Sequence, residues 1–218
     1  MLNLTKTQIC ENLIEIASFC ARRNLVPATS GNFSARLPDK EILITVSGRD
    51  KAALIESDFL VLNSLGFPKD NALKPSAEVA LHLQIYRIFP EANYIAHFHS
   101  SSSAVLSKVL LGRGIKALKI EGYELLKALS EIDTHEHTEV IPIFPNSQDM
   151  DILSDLISPV LDKLMNLDKK LHAYILAGHG LYTWGVTKEE TLRHVDALNT
   201  LIESYLLELN LENLVKAK

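Results

Sequence analysis

Three histidines from two distant parts of the chain could together hold a metal ion. His97 and His99 belong to an apolar and aromatic stretch that starts at Tyr94 and is typical of a β-strand. Residues two apart on a strand point to the same face, so the two imidazoles are expected to project side by side. An H-x-H pattern alone is more often a pair of ordinary strand-end histidines. His179 follows a second apolar run, stands between two glycines and supplies a third candidate ligand.

Three imidazoles without a thiolate describe a catalytic metal site better than a structural one. Structural zinc sites fill all four positions and rely on cysteine, whereas catalytic sites keep one position for water or substrate. Neutral imidazoles leave the full charge on the ion, which suits a Lewis acid that polarises a carbonyl or stabilises an enolate. The sequence therefore predicts a catalytic Zn²⁺ centre at His97, His99 and His179. The polar stretch Thr134–His137 is interpreted instead as a loop with solvated histidines.

Two loops of small polar residues could bind an anion. Both are rich in hydroxyls, amides and turn formers, and can present backbone N–H groups and short donors to a negative charge. Ordinary polar turns have the same composition, which by itself favours that simpler interpretation. The first loop contains Thr29, Ser30, Gly31 and Asn32, and the second contains Ser47 and Gly48.

Length and composition limit the classes of protein. With 218 residues, 47% of them apolar and 22% charged, the chain is most simply one domain over residues 1–218. A net charge of −5 gives no electrostatic reason to bind nucleic acid or an anionic membrane. No run of about 18 apolar residues predicts a membrane span. The N-terminus lacks a signal-peptide pattern, and Cys10 and Cys20 are expected to be core thiols in a reducing cytoplasm.

Helical and strand patterns are mixed along the chain without strict βαβ alternation. This order predicts an α/β fold of layered α+β type, with a largely antiparallel central β-sheet flanked by helices. Pro142, inside one predicted strand, suggests an edge position for that strand. The predicted helices are 6–22, 77–88, 100–110, 121–129, 148–164 and 188–208, and the predicted strands are 41–46, 58–63, 94–100, 140–144, 172–177 and 181–185.

Five short segments carry a family pattern in their order and approximate spacing. They are Thr29–Ser34, Ser47–Gly48, Pro75–Glu78, His97–His99 and Gly178–Gly180. With them, the chain resembles the class II aldolase/adducin family over nearly its whole length. A narrower similarity, carried by Glu121–Leu129, Thr134–Glu136 and Ile141–Asp149, is to the dehydratase branch of this family that acts in methionine salvage. The resemblance implies a class II aldolase-like fold.

The resemblance also implies a specific reaction. The enzyme would be a hydro-lyase that removes water from 5-methylthioribulose 1-phosphate and forms 2,3-diketo-5-methylthiopentyl 1-phosphate. Its partners would be one Zn²⁺ per subunit and a phosphorylated ketose substrate. The resemblance further implies a homotetramer with active sites near the subunit interfaces.

Residue roles follow from the same resemblance. The three histidines would bind the metal, and Glu124 matches the principal acid/base residue of the dehydratase branch. Glu78 matches the acid/base glutamate of the aldolases, although a place in the first turn of a helix also suits the helix dipole. The expected phosphate-binding residues are Thr29, Ser30, Gly31, Asn32, Ser47, Gly48 and Ser76. Ala77 stands where the family usually has a second serine, so one hydroxyl donor is missing.

Two alternatives stand beside this interpretation. Another enzyme on the same scaffold, a sugar-phosphate aldolase or a pentulose-phosphate epimerase, would share the early enolate chemistry. A non-catalytic, adducin-like binding module would keep the fold but has no need of three metal-ligating histidines. Carbon–carbon cleavage separates an aldolase from a dehydratase, and bound zinc separates either enzyme from a binding module.

Overall fold

The first predicted helix forms where its apolar spacing places it. This helix, α1, spans Lys6–Arg22 and starts after Thr5, whose hydroxyl accepts from the backbone N–H of Gln8 at 3.3 Å. The Gln8 side chain in turn accepts from the Thr5 N–H at 2.9 Å, and this capping box satisfies two N–H groups that a helix start leaves free. The buried stripe of α1 is Ile9, Cys10, Leu13, Ile16, Ala17 and Cys20, and both cysteines are free thiols.

A computed structural model describes residues 4–63, 65–69, 73–167 and 170–216, so Met1 to Asn3 of the N-terminal stretch lie outside the described residues. The helices in these ranges are α1, α2 (Val79–Ile88), α3 (Ser101–Gly112), α4 (Met150–Asn166) and α5 (Lys188–Lys216). The strands are β1 (Asn32–Arg36), β2 (Ile42–Thr45), β3 (Phe59–Leu62), β4 (Tyr94–Phe98), β5 (Ala117–Ile120), β6 (Glu139–Phe144), β7 (Ala173–Leu176) and β8 (Leu181–Gly185). A 3-10 turn, Glu124–Ala128, stands where the sequence predicts a short helix over 121–129.

The strands form one sheet in the order β3-β2-β1-β4-β8-β7-β6-β5. Neighbouring strands are antiparallel except β6 and β7, which are parallel. α1, α3 and α5 pack together on one face of the sheet, and α2 and α4 pack together on the other, each group over its own apolar cluster. The predicted α/β sandwich with a largely antiparallel sheet is therefore confirmed. In the part of the chain that is described, no helix is both long and apolar enough to pass through a bilayer.

The prediction that Pro142 marks an edge strand is wrong. Its strand, β6, lies inside the sheet between β5 and β7. The N–H of Ile143 donates to the carbonyl of Lys116 on the β5 side, so the nitrogen of Pro142 faces the other way. Pairing with β7 starts only at Ile143, so the missing N–H of Pro142 removes no ladder hydrogen bond.

A buried ion pair joins the starts of β6 and β7. Nδ1 of His172 lies 3.1 Å from the Glu139 carboxylate, and its Nε2 lies 2.9 Å from the carbonyl oxygen of Ser130. Both ring nitrogens face acceptors, so the ring carries a proton on each. Burial lowers the pKa of His172, but the hydrogen bond to Glu139 and its charge outweigh burial, and the net pKa is raised above the usual 6.5.

Glu139→Gln is expected to destabilise the protein by about 3–5 kcal/mol, because the buried His172 charge loses its partner. Since folding raises the pKa of His172, the stabilisation is complete below the unfolded pKa of about 6.5 and is lost as the pH rises through the folded pKa. Urea unfolding of wild type and variant measures this difference. The difference should be largest at mildly acidic pH and shrink above it. A difference that does not change with pH would contradict a protonated His172.

Candidate metal centre and active-site cleft

The central strand β4 carries His97 into the interior. Phe98 points to the opposite face, into the apolar cluster under α1 and α5, as the strand alternation predicts. Nδ1 of His97 donates to the carbonyl oxygen of Leu181 at 3.1 Å, so Nε2 keeps its lone pair. Burial lowers the pKa of His97 to about 4, and the ring is neutral at neutral pH.

The turn between β7 and β8 brings His179 to the end of β4. The candidate ligand nitrogens of His97, His99 and His179 all lie within 4.8 Å of one another, and the Nε2 atoms of His97 and His99 are 2.9 Å apart. Zinc–nitrogen bonds of 2.0–2.1 Å in a tetrahedron place the nitrogens roughly 3.3 Å apart, so the group fits such an ion. Nδ1 of His179 faces Oδ1 of Asn146 at 3.3 Å, which leaves its Nε2 for a ligand. Burial and the neighbouring rings lower the pKa of His99 to about 3.

Two glycines permit the close backbone contacts around this centre. A Cβ at position 180 would lie 2.5 Å from the carbonyl oxygen of Phe98 and 2.7 Å from Cε1 of His97. On the other side of β4, Gly31 has a φ of +77°, and a Cβ there would lie 2.7 Å from the carbonyl oxygen of His97. The sequence prediction that glycines allow close approach is thus confirmed at Gly180.

Glu78 lies against two of the candidate ligands. Its Oε2 is 3.3 Å from Nε2 of His97, and its Oε1 is 3.2 Å from Nε2 of His179. Glu78 precedes α2 directly, yet its carboxylate caps no N–H of that helix, so the helix dipole alone does not account for its position. Burial raises the pKa of Glu78, but the two rings and a hydrogen bond from Asn32 outweigh burial and lower the pKa to about 2. The carboxylate is therefore ionised and acts as an acceptor.

A cleft of about 280 Å³ opens beside the three rings. Its lining includes Glu78, His99 and His179 together with every residue that the sequence predicts to bind phosphate. Those residues are Thr29, Ser30, Gly31, Asn32, Ser47, Gly48 and Ser76. Two polar loops and the start of α2 therefore meet at one place, next to the candidate metal centre. Their binding of phosphate stays a prediction.

The loop before β1 has an unusual backbone conformation and one buried hydroxyl without a hydrogen-bond partner in the described ranges. Ala28 and Thr29 have φ angles of +52° and +64°, which residues with a side chain seldom adopt. The Lys51 ammonium donates to the carbonyl oxygens of Thr29 at 2.9 Å and Arg49 at 2.7 Å, and so ties the two polar loops together. The Ser30 hydroxyl is buried and has no hydrogen-bond partner among the described residues. Such a loop can donate to an anion in the cleft.

Sequence reasoning missed Lys51 as a site residue. Among the described residues that line the cleft, it is the only lysine or arginine. Burial lowers the pKa of Lys51, and the charges of Asp50 and Asp58 oppose this shift. The sequence signal for Lys51 was its position three residues after Gly48, at the end of the charged stretch that continues the second polar loop.

The side chain of Asn32 is engaged with protein partners. Its amide nitrogen donates to Oε2 of Glu78 at 2.5 Å, and its amide oxygen contacts Nε2 of His82. Sequence reasoning also missed His82, although its spacing of four residues from Glu78 was a signal, because such residues share a helix face.

Glu124 does not line the cleft of its own chain. It starts the 3-10 turn after β5, which ends the sheet several strands away from β4. The side chain is 70% exposed and pairs with Lys127 and His135. The hydrogen bond to Lys127 lowers the pKa of Glu124. Within the described ranges, Thr134–His137 contributes to no metal-binding group.

The fold and the site define a class of protein, an α/β scaffold with a group of three histidines that could hold a metal, a neighbouring carboxylate and a polar cleft. The chain belongs to the class II aldolase and adducin family, since the family profile of the Class II Aldolase and Adducin N-terminal domain matches residues 11–206. The histidine group can bind a metal, as is typical of this family.

Relatives and solved structures agree with this membership. The chain is 48% identical over 191 residues to methylthioribulose-1-phosphate dehydratase of Methylococcus capsulatus, with 88% of this chain and 89% of the relative covered. It is 42% identical over 203 residues to the Sorangium cellulosum protein of the same name, with 93% of each covered. The structure of L-fuculose-1-phosphate aldolase from Thermus thermophilus matches with a TM-score of 0.73 and 21% identity, and covers 96% of this chain and 99% of that one. This likeness shows a shared fold.

Proposed function

We propose that this protein is a methylthioribulose-1-phosphate dehydratase of methionine salvage. It removes water from 5-methylthioribulose 1-phosphate and forms 2,3-diketo-5-methylthiopentyl 1-phosphate. The observation that carries the proposal is one cleft lined by His99, His179 and Glu78 at one side, with the buried His97 ring behind them, and by donor loops at the other. This arrangement would offer a ketose phosphate a metal at its carbonyl oxygen and hydrogen-bond donors at its phosphate group. Relatives of this name, at 48% and 42% identity, support dehydration over the other reactions of the family.

The proposed metal is Zn²⁺, with one ion per subunit held by His97, His99 and His179. Three neutral nitrogen ligands suit zinc and leave a coordination position for substrate. When bound, the ion supplies a Lewis acid that polarises a carbonyl and stabilises enediolate charge. The hydrogen bonds of His97 to Leu181 and of His179 to Asn146 orient two of the three rings for this role.

The dehydration requires two proton transfers. A base removes the proton at C3, and an acid protonates the C4 hydroxyl, which leaves as water and yields an enol that tautomerises to the diketone. We assign Glu124 as the principal acid/base. Glu78 is the second carboxylate of the site, because it is ionised and lies against two of the ligand rings.

This assignment requires a second subunit. We propose a cytoplasmic homotetramer in which Glu124 of one subunit enters the cleft of a neighbour. In support, Glu124 is exposed and does not line the cleft of its own chain. Burial at an interface would also raise its pKa, as a general acid at neutral pH requires.

The proposed phosphate site comprises the two polar loops, Ser76 and Lys51, without the side chain of Asn32, which is engaged with Glu78 and His82. Ser30 offers a buried hydroxyl without a partner, and Lys51 offers a charge between the loops. The hydroxyl that is missing at Ala77 leaves the lysine as the group that we expect to contribute most to binding an anion. Hydrogen bonds to charged groups are the stronger ones.

Lys51→Met is expected to raise KM for the phosphorylated ketose by about 10–100-fold with a smaller change in kcat, because a hydrogen bond to a charged group contributes roughly 1.5–3 kcal/mol. Competitive inhibition by inorganic phosphate should weaken by a similar factor. The matched control is Lys69→Met, which removes an exposed lysine paired with Glu41 outside the cleft and should leave both values unchanged. Equal inhibition of wild type and Lys51→Met by phosphate would refute the role of Lys51.

An assay of the zinc-loaded protein on two substrates tests the proposed function. With methylthioribulose 1-phosphate we expect an ultraviolet-absorbing diketone or enol, and with fuculose 1-phosphate no carbon–carbon cleavage. Cleavage of fuculose 1-phosphate without dehydration of the pentulose would identify an aldolase instead. A protein that stays zinc-free after zinc-replete expression and acts on neither substrate would be a binding module.

A further inference from the structure

Behind Glu78 lies a row of buried polar side chains that the proposed proton transfers do not use. Asn32 comes first, 2.5 Å from Glu78, and its amide oxygen contacts Nε2 of His82. Nδ1 of His82 lies 2.7 Å from the Ser34 hydroxyl, which lies 2.9 Å from the hydroxyl of Tyr86. An unbroken row of hydrogen bonds therefore runs from the cleft into the space between the sheet and α2.

The orientation of the Asn32 amide determines the direction of each hydrogen bond in this row. Its nitrogen donates to Oε2 of Glu78, and its oxygen faces Nε2 of His82. That oxygen only accepts, so His82 carries its proton on Nε2 and accepts on Nδ1. The Ser34 hydroxyl then donates to His82, and Tyr86 donates to Ser34. Each group donates toward Glu78, and one tautomer of His82 satisfies the whole row.

We propose that His82 is a positioning residue which, through Asn32, holds the Glu78 carboxylate in the orientation that faces His97 and His179. The inference deepens the proposed function and rests on it. His82 itself is held by its helix and by an edge-on contact with Tyr182, whose ring centroid is 5.8 Å away. Tyr182 in turn stacks on His97 at 4.0 Å, so the positioning residue and the candidate ligand share one rigid neighbour.

Without the Nε2–H donor of His82, the Asn32 amide would no longer be held in its orientation toward Glu78. The amide oxygen of Asn32 would be left buried without a hydrogen-bond partner, which is unfavourable. Rotation of the amide would relieve that cost and remove the hydrogen bond from Glu78. Because a displacement of about 1 Å at a reacting group can reduce turnover 100-fold, we expect the effect in kcat rather than in KM.

Kinetics of two substitutions at His82 test the proposal. His82→Leu keeps the volume without a donor and should lower kcat by about 30–100-fold with KM within about threefold of wild type. His82→Gln places an amide N–H near the position of Nε2, so its kcat should be at least about tenfold higher than that of His82→Leu. The control is Gln84→Leu on the same helix, which removes buried hydrogen bonds to Ser154 and Ser158 and should keep kcat within about threefold.

Three kinetic results would overturn the inference. They are a normal kcat in His82→Leu, an equal loss in Gln84→Leu, and no recovery in His82→Gln when that variant is folded. Thermal unfolding of each variant establishes that it is folded under the assay conditions.

A spectroscopic measurement tests the row of hydrogen bonds independently of enzymatic activity. Imidazole ¹⁵N NMR of the zinc-loaded protein, with the His82 signal assigned by its absence in His82→Gln, should show the neutral Nε2–H tautomer. An Nδ1–H tautomer would refute the row of donors. If wild type does not dehydrate the pentulose phosphate, the proposed function fails, and the NMR result still decides whether His82 donates to Asn32.

Discussion

His97→Ala is expected to abolish bound zinc and to lower kcat/KM for methylthioribulose 1-phosphate by at least about 1,000-fold. A bound metal provides several kcal/mol of charge stabilisation in the transition state, and each 1.36 kcal/mol is about tenfold in rate. The three rings contact one another at centroid distances of 4.7, 5.0 and 4.6 Å, and His97 is the fully buried member of the group. The substitution removes one ligand and the ring against which the His99 and His179 rings pack.

Metal analysis by mass spectrometry separates this role from a purely structural one. Wild type should hold one zinc per chain after zinc-replete expression and dialysis. The control His137→Ala alters a histidine outside the cleft, where the ring contacts Glu139, and should keep both metal and activity. A folded His97→Ala protein that retains one tightly bound zinc and normal turnover would exclude the proposed centre.

Glu124→Gln is expected to keep the metal but to lose about 100–10,000-fold in kcat, the usual contribution of a general acid or base. The exposed carboxylate of an isolated chain has a lowered pKa beside Lys127, and could not hold a proton at neutral pH. The proposed assembly must therefore bury Glu124 before this residue can act as an acid. The variant should leave zinc content unchanged, because Glu124 belongs neither to the histidine group nor to the lining of the cleft beside it.

Mixing two inactive variants tests whether Glu124 acts in a neighbouring subunit. Co-expression of His97→Ala with Glu124→Gln should restore activity, because some clefts combine intact histidines with an intact Glu124 from the next chain. Random assembly of equal amounts gives such clefts about a quarter of the time in a symmetric oligomer. No recovery from a mixed oligomer of confirmed composition would mean that Glu124 does not work across subunits.

The complementary substitution at Glu78 decides between the two carboxylates. If Glu78→Gln loses turnover while Glu124→Gln keeps it near normal, the principal acid/base is Glu78 and the assignment is reversed. The cross-subunit requirement would then also disappear, because Glu78 already lies in the cleft of its own chain.

Local patterns in the sequence were sufficient for the features that depend on backbone geometry. The two-residue period of a strand predicts that His97 and His99 share one side, and their Nε2 atoms do lie 2.9 Å apart, although β4 ends at Phe98. Helical spacing predicts α1 at its observed bounds. Glycines beside His179 indicated a close approach, and Gly180 does meet β4. These features follow from residues that are near one another in the chain, so they can be recognised without knowing the fold.

Only the tertiary structure determined which side chains that are far apart in the sequence lie close together in the folded protein. It set Glu78 against His97 and His179, engaged Asn32 with His82, and brought Lys51 between two loops. It also left Glu124 outside the cleft of its own chain. These relations depend on strand order and register, such as the pairing of Asn32 with His97, and on which helix face packs on the sheet. Strand order and helix packing are determined by the burial of apolar side chains throughout the core. They therefore cannot be deduced from any short run of neighbouring residues.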